Sequence, residues 1–533
     1  MDSKALQAEL CSMIQQAPVK PSAHQYIELA KQIQGKNYSR LLKEGLQHYP
    51  CNHEIRSLLK AKNEKTFVLR KMIKKMIGKK AASRFFYESC INYLLNIEEK
   101  ELAKKIAMLG IEQNKKNSPY LRFVTKKAMQ IFDWKWASQL FPLLHDQEVT
   151  TTSLYDYSVC LQLLGQKEES KQLVETIRNE NPEEYSKLFK DSYRKYIIFN
   201  NGKSRIELYK HQIPNERVVA TFDTIDKTWH DIPFSFNLIK KNNMDLVALR
   251  RDHVRNFHQD LSREDYIDST SPVFSTYEDK FAYGTSLGGY AALYFGSLIS
   301  DIRILAMAPR NSANPDYGAR TIVVKEPFKH ISPHPVSHNP NITIVYDPQN
   351  LVDEPYIKHE ILPSYPKARI LQIPYAGHRV PRFLSQTKQL KPLVMDFLQK
   401  KPLKEIERGA LRKKSSEYYW VVSDYCLQKN HAKWALDFAQ HAKEMMPDFD
   451  RPYVSISKAL VALKRLSEAI EFSKEAYDKF PKEYKFAILL AEAYIANGNR
   501  EAAINVLEEF SSRKQVAKVK KMLSRLKKDL IPV

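Results

Sequence analysis

Gly284-Thr285-Ser286-Leu287-Gly288-Gly289 is the stretch on which the reading of this chain turns. A short apolar run, Phe281-Ala282-Tyr283, leads into it, and an alanine-rich helical stretch, Tyr290-Ala291-Ala292-Leu293-Tyr294-Phe295, follows. Strand, sharp turn and helix form the setting in which G-x-S-x-G exposes a serine nucleophile. Glycines are needed there because Cβ atoms beside the serine would collide with the neighbouring strand and helix. The chain has 14 glycines in 533 residues, and four of them fall between Gly284 and Gly296, so they are not background.

Working outward, short β-branched runs alternate with helical stretches. They are Tyr196-Ile197-Ile198-Phe199, Arg205-Ile206-Glu207-Leu208-Tyr209, Val218-Val219-Ala220-Thr221-Phe222 and Asp245-Leu246-Val247-Ala248-Leu249, then Ile302-Arg303-Ile304-Leu305-Ala306, Ile342-Thr343-Ile344-Val345-Tyr346 and Ile370-Leu371-Gln372-Ile373. Such alternation predicts an α/β fold, a mostly parallel sheet with helices on both faces.

A serine on a turn is inert without a base. Downstream, Ile370-Leu371-Gln372-Ile373-Pro374-Tyr375-Ala376-Gly377-His378 reads as a strand and a turn that delivers a histidine. A neutral imidazole near pH 7 takes the serine proton and later returns it, which makes His378 the candidate base. Two carboxylates lie between serine and histidine in Tyr346-Asp347-Pro348-Gln349-Asn350-Leu351-Val352-Asp353. Either Asp347 or Asp353 could orient His378 and stabilise its imidazolium. The other would then have a structural task, an Asp-Pro turn for Asp347 or a helix cap for Asp353.

On these motifs residues 193–400 resemble the α/β-hydrolase superfamily, whose nucleophile, acid and histidine follow in this order. Gly284-Thr285-Ser286-Leu287-Gly288-Gly289-Tyr290-Ala291-Ala292 and Tyr346-Asp347-Pro348 resemble a bacterial branch linked to surface glycans. That branch includes capsule polysaccharide O-acetyltransferases and the acetyltransferase of accessory glycoprotein secretion systems. The resemblance implies a serine that is acetylated by acetyl-CoA and passes the acetyl group to a sugar hydroxyl. It also implies an oxyanion hole built from the backbone N–H of Leu287 and that of Asp223 or Thr224. With the same triad, water in place of the sugar would make an esterase. A repeat scaffold around an inactive hydrolase domain is a third reading.

The flanks are helical. In the C-terminal third Ala435, Ala469 and Ala503 are spaced by 34, as are Ala442 and Ala476, Ala459 and Ala493, and Pro447 and Pro481. This resembles tetratricopeptide repeats, with Ser457 and Ala491 where the family usually has glycine. Leu154 through Pro182 resembles one more such hairpin, closing an N-terminal helical-repeat region. The expected domains are 1–192, 193–400 and 401–533. Trp134, Trp136, Trp420 and Trp434 are expected in the cores of the repeats. His330, His334 and His338 are interrupted by Pro333 and Pro335, which predicts a loop and not a metal site.

Composition bounds the remainder. The net charge is +23 and clustered. Residues 60–84 hold ten Lys/Arg, including Lys71, Lys74, Lys75 and Lys79, against Glu64 alone, and Lys514, Lys518, Lys520, Lys521, Arg525, Lys527 and Lys528 crowd the C-terminus. Two such runs favour a polyanion or an anionic membrane surface as partner, beyond a merely solvated face; the resemblance implies that the polyanion is an anionic polysaccharide substrate, with other capsule-assembly proteins as further partners. No recognition helix, zinc finger or aromatic RNA-binding pattern points to nucleic acid. Five scattered cysteines without a CxxC pair suggest a reducing compartment and no metal site. The first residues show no signal peptide and no run reaches the ~18 apolar residues of a membrane span. A cytoplasmic protein, peripheral at most to the inner membrane, is expected.

Overall fold

The computed structural model describes Tyr26, Leu42, Gly45 and residues 84–528, apart from 97–98, 115–116, 254–256, 318–326 and 408. The chain divides into two compact units, Met1–Lys190 and Asp191–Val533. The regions expected as separate second and third domains thus share one unit.

The first unit contains helices α1 (Arg84–Asn96), α2 (Lys100–Gln113), α3 (Ser118–Gln130), α4 (Trp134–His145), α5 (Thr151–Leu163), α6 (Lys167–Glu180) and α7 (Pro182–Lys187). They pack as successive hairpins around Tyr87, Ile91, Leu94, Ile106, Tyr120, Val124 and Leu140. The α5–α6 pair is the hairpin anticipated from Leu154 onward, and Pro182 opens α7 where its fixed φ is favourable.

The second unit begins with an eight-stranded sheet. Its strands are β1 (Tyr193–Asn200), β2 (Ser204–His211), β3 (Arg217–Phe222), β4 (Asp245–Arg251), β5 (Asp279–Thr285), β6 (Arg303–Met307), β7 (Ile342–Tyr346) and β8 (Arg369–Gln372). The order across the sheet is β1-β2-β4-β3-β5-β6-β7-β8. β1 pairs antiparallel with β2, and β2 antiparallel with β4; all other pairs are parallel. The expected α/β sheet is present, and β4, antiparallel to β2 and parallel to β3, is buried along its whole length, as a strand covered on both faces should be. Around it run α8 (Phe236–Lys241), α9 (Arg263–Phe274), α10 (Leu287–Tyr294), α11 (Asp353–Tyr356), α12 (Val380–Gln386) and α13 (Leu390–Leu398). Because β3, β5, β6, β7 and β8 are parallel, their C-terminal ends share one edge. A crevice at that edge is where ligands bind in open α/β sheets.

Six helices follow: α14 (Ser416–Gln428), α15 (Ala432–Met445), α16 (Asp450–Ala462), α17 (Leu466–Lys479), α18 (Tyr484–Ala496) and α19 (Arg500–Arg513). The first helices of the three pairs start at 416, 450 and 484, and the second at 432, 466 and 500, so the 34-residue phase of the alanines is the phase of the helices. Ala435, Ala459, Ala469, Ala493 and Ala503 are fully buried where neighbouring helices approach. Helix α20 (Ala517–Lys528) closes the stack with Val519 and Leu526 facing inward. The tryptophan expectation needs correcting. Trp136 is buried, but Trp434 is 59% exposed, because α15 turns Ala435, Leu436 and Ala439 inward and leaves Trp434 against His431. Among the described residues no helix is long and apolar enough to cross a membrane.

Candidate active site

Ser286 stands between β5 and α10 with φ 55° and ψ −122°, a conformation disfavoured for a residue with a side chain. Strain of this kind costs about 1–3 kcal/mol and persists only where surrounding contacts enforce it. Here the Ser286 N–H donates to Met307 O at 2.9 Å, while its carbonyl accepts from Tyr290 N and Arg310 N. The flanking glycines show why no side chain fits. A Cβ on Gly284 would lie 2.0 Å from Gly288 O, and one on Gly288 would lie 2.3 Å from Phe222 O.

The sheet edge brings three side chains into a line. Ser286 Oγ lies 2.8 Å from His378 Nε2, and His378 Nδ1 lies 2.6 Å from Asp353 Oδ2. A carboxylate only accepts, so Nδ1 is the donor to Asp353, and the tautomer this selects presents Nε2 as acceptor to the serine hydroxyl. Asp353 is 1% exposed, whereas the His378 side chain is 26% exposed. Of the two candidate acids, the structure brings Asp353 to His378 and not Asp347. The carboxylate of Asp347 accepts from the backbone N–H groups of Gln349 (2.8 Å), Tyr375 (3.0 Å) and Gly377 (2.7 Å). Its charge is spent on holding the turn that carries His378, and burial raises its pKa.

Leu287 opens α10, so its N–H has no acceptor within the helix. Of the two partners expected from the loop after β3, the Asp223 amide donates to Leu249 O at 3.4 Å, and the Thr224 amide has no partner among the described residues. Two adjacent, fully buried arginines clamp this loop. Arg250 donates to the carbonyls of Thr228 (2.6 Å) and Asp231 (2.8 Å) and pairs with the carboxylate of Asp223. Arg251 donates to the carbonyls of Thr224 (2.5 Å) and Lys227 (3.0 Å), and burial pulls its pKa down to about 10. Asp223 also accepts from Phe234 N, fixing the far end of the loop.

Arg310 was not anticipated. Its Nη1 donates to Asp353 Oδ1 at 2.6 Å, so the acid is held on both oxygens. Nothing in its sequence setting marks it, because its partner lies 43 residues further along the chain. Behind α10, Tyr290 OH lies 2.8 Å from His330 Nδ1, and His330 Nε2 donates to His258 O at 2.7 Å. His334 meets Tyr365 OH at 2.8 Å. Burial lowers the pKa of His330 to about 4 and that of His334 to about 3. Both histidines lie in irregular chain, and among the described residues no group of His, Cys, Asp and Glu is placed to hold a metal ion.

Of the basic residues, Lys71, Lys74, Lys75 and Lys79 lie outside the described residues, while Lys520 and Lys521 are exposed on α20.

Comparison with known proteins gives the following. Residues 460–526 match the tetratricopeptide repeat family. Among curated proteins none matches the chain. Similar solved structures include Est1E from Butyrivibrio proteoclasticus, at 11% identity over 38% of this chain and 99% of that chain, TM-score 0.25. A CIB-like hydrolase from Thermoplasma acidophilum is 15% identical over 39% and 98% of the two chains, TM-score 0.26. The Cut9–Hcn1 hetero-tetramer of the APC/C is 12% identical over 93% and 76%, TM-score 0.20.

Proposed function

We propose that the protein is a serine acyltransferase that moves an acetyl group from acetyl-CoA to hydroxyls of an anionic bacterial surface polysaccharide. The observation that carries the chemistry is the Ser286–His378–Asp353 line at 2.8 and 2.6 Å, headed by a serine held in a strained turn. In this reading His378 Nε2 takes the Ser286 proton as Oγ attacks the thioester carbonyl. The tetrahedral oxyanion is met by the N–H groups of Leu287 and Thr224, and collapse expels the CoA thiolate, which takes up the proton from His378. A sugar hydroxyl then attacks the acetyl-serine through the same base, giving the O-acetyl ester and free Ser286. Asp353 keeps the imidazole in the required tautomer throughout. The glycan acceptor and acetyl-CoA rest on the sequence resemblance, supported by the clustered positive charge of a chain at +23. A cytoplasmic site of action, where acetyl-CoA is made, belongs to the same reading.

The exposure of His378 favours a second reading with the same acyl-enzyme, an esterase in which water resolves it. One experiment separates the two. Intact-mass spectrometry of wild type after acetyl-CoA should show one added acetyl group, absent from Ser286→Ala. An esterase would turn over p-nitrophenyl acetate without retaining acetyl from CoA. A wild type that neither acetylates nor reacts with a fluorophosphonate probe would remove both readings.

A further inference from the structure

The turn that delivers His378 is gripped by the first helix of the C-terminal repeats. Before the histidine, Tyr375 packs its ring on Tyr425 at 5.4 Å, and Gly377, at φ +68°, lies so close to α14 that an added Cβ would be 2.7 Å from Val421 Cγ2. After it, Arg379 donates from Nε and Nη2 to the two carboxylate oxygens of Glu417, both at 2.9 Å, and Arg382 Nε reaches the same carboxylate at 3.3 Å. The Glu417 side chain is wholly buried. The end of α12 is stitched to the same place, with Gln386 accepting from Ser415 Oγ and Glu417 N and donating to Ser416 Oγ. A repeat domain needs an anchor on its neighbour, but these anchors bracket one residue, His378, on both sides.

We propose that Glu417, a residue of the repeats, is a positioning residue for His378. Through its fork with Arg379 it fixes the turn and hence the reach of Nε2 to Ser286. The repeats then form a wall of the catalytic centre as well as a separate surface for partners. A bidentate arginine–carboxylate pair fixes direction as well as distance, which suits this task. The inference rests on the acyl-transfer reading above.

The test uses the full chain, a fluorophosphonate probe and p-nitrophenyl acetate, with Glu417→Gln, Glu417→Ala and Arg379→Lys. Arg379→Lys retains the charge and loses the fork, so it guards against a Glu417 variant that fails to fold. Displacement of the base by about an ångström predicts a labelling rate per competent site about 10- to 100-fold lower, with the labelling endpoint unchanged. In turnover kcat should fall and KM stay within about twofold, because the small ester touches none of these residues. Glu417→Gln, which still accepts one hydrogen bond, should be less impaired than Glu417→Ala. Folded variants that label at the wild-type rate, or that lose only endpoint at unchanged rate, overturn the proposal. A wild type that does not label at all removes the acyl-transfer reading itself, and this inference with it.

Discussion

Asp353 divides its carboxylate between His378 and Arg310, and this division sets what substitution should do there. In Asp353→Asn one of the two donors would face an amide N–H₂, leaving His378 in the wrong tautomer or Arg310 unpaired. We expect kcat to fall by about 10⁴-fold, as when a triad histidine loses its orienting carboxylate, measured on p-nitrophenyl acetate with the fold checked by circular dichroism. Asp347→Asn should act by another route. One of three backbone donors loses its acceptor, at a cost of about 1–3 kcal/mol, so the melting temperature should drop while a smaller part of the activity is lost. If Asp347→Asn cripples turnover at an unchanged melting temperature, the division of labour between the acids is mistaken. At this scale Ser286 and His378 were legible because rare glycines and a strand-to-turn pattern surround them. The choice between Asp347 and Asp353 was not, since both follow the same strand and only the third dimension shows which one faces the imidazole. Arg310 and Glu417 left no trace in sequence. Their partners are distant, and an isolated arginine or glutamate looks like surface.

The loop after β3 and the helix after Ser286 are each held by buried polar groups. Arg251 bonds to the carbonyls of Thr224 and Lys227, and thereby fixes the amide proposed to meet the oxyanion. Replacing it by methionine keeps the packing stem and removes the donors. The expected result is a kcat lowered by about 10²-fold or more with little change in KM, in line with the loss of one oxyanion donor; a pure KM effect would argue against this role for the loop. Helix α10 leans on Tyr290 and His330, and His330 and His334 are held neutral by burial. Their folded pKa values lie below the unfolded value of about 6.5. Their contribution is therefore complete above pH 6.5 and lost as the pH falls towards 4, because the unfolded chain then binds more protons. Melting temperature should decline over that window, and His334→Gln should flatten the decline; an identical slope in the variant would assign the acid sensitivity elsewhere. All eight strands could be found from β-branched runs and the apolar lead-in to Ser286. The repeats could be counted from alanines, because close helix approach permits little else. Trp434 misled, since a large apolar residue on a helix says nothing of which side faces the core.

Over the whole molecule, the basic run at the C-terminal end is the one that the described residues include. On α20 the apolar side chains Val519, Met522, Leu523 and Leu526 serve the core, so Lys520 and Lys521 are free to face solvent. Reversing both to Glu, together with Lys71, Lys74, Lys75 and Lys79, should weaken modification of an anionic polymer and spare a small ester. Wild-type affinity for the polymer should fall steeply with salt, since contacts to a polyanion release counterions and the screening length is only ~8 Å at physiological ionic strength. Equal loss on both substrates would instead indicate misfolding. Charge was legible from composition alone, but the union of sheet and repeats in one unit was not, because it depends on side chains that meet far along the chain. That union bears on how the protein is made. During synthesis Ser286, Asp353 and His378 leave the ribosome before residues 416–428, so the turn bearing the histidine waits for its wall. On the Glu417 proposal, a nascent chain would already hold Ser286, Asp353 and His378 and still react about 10- to 100-fold more slowly until the repeats emerge and dock.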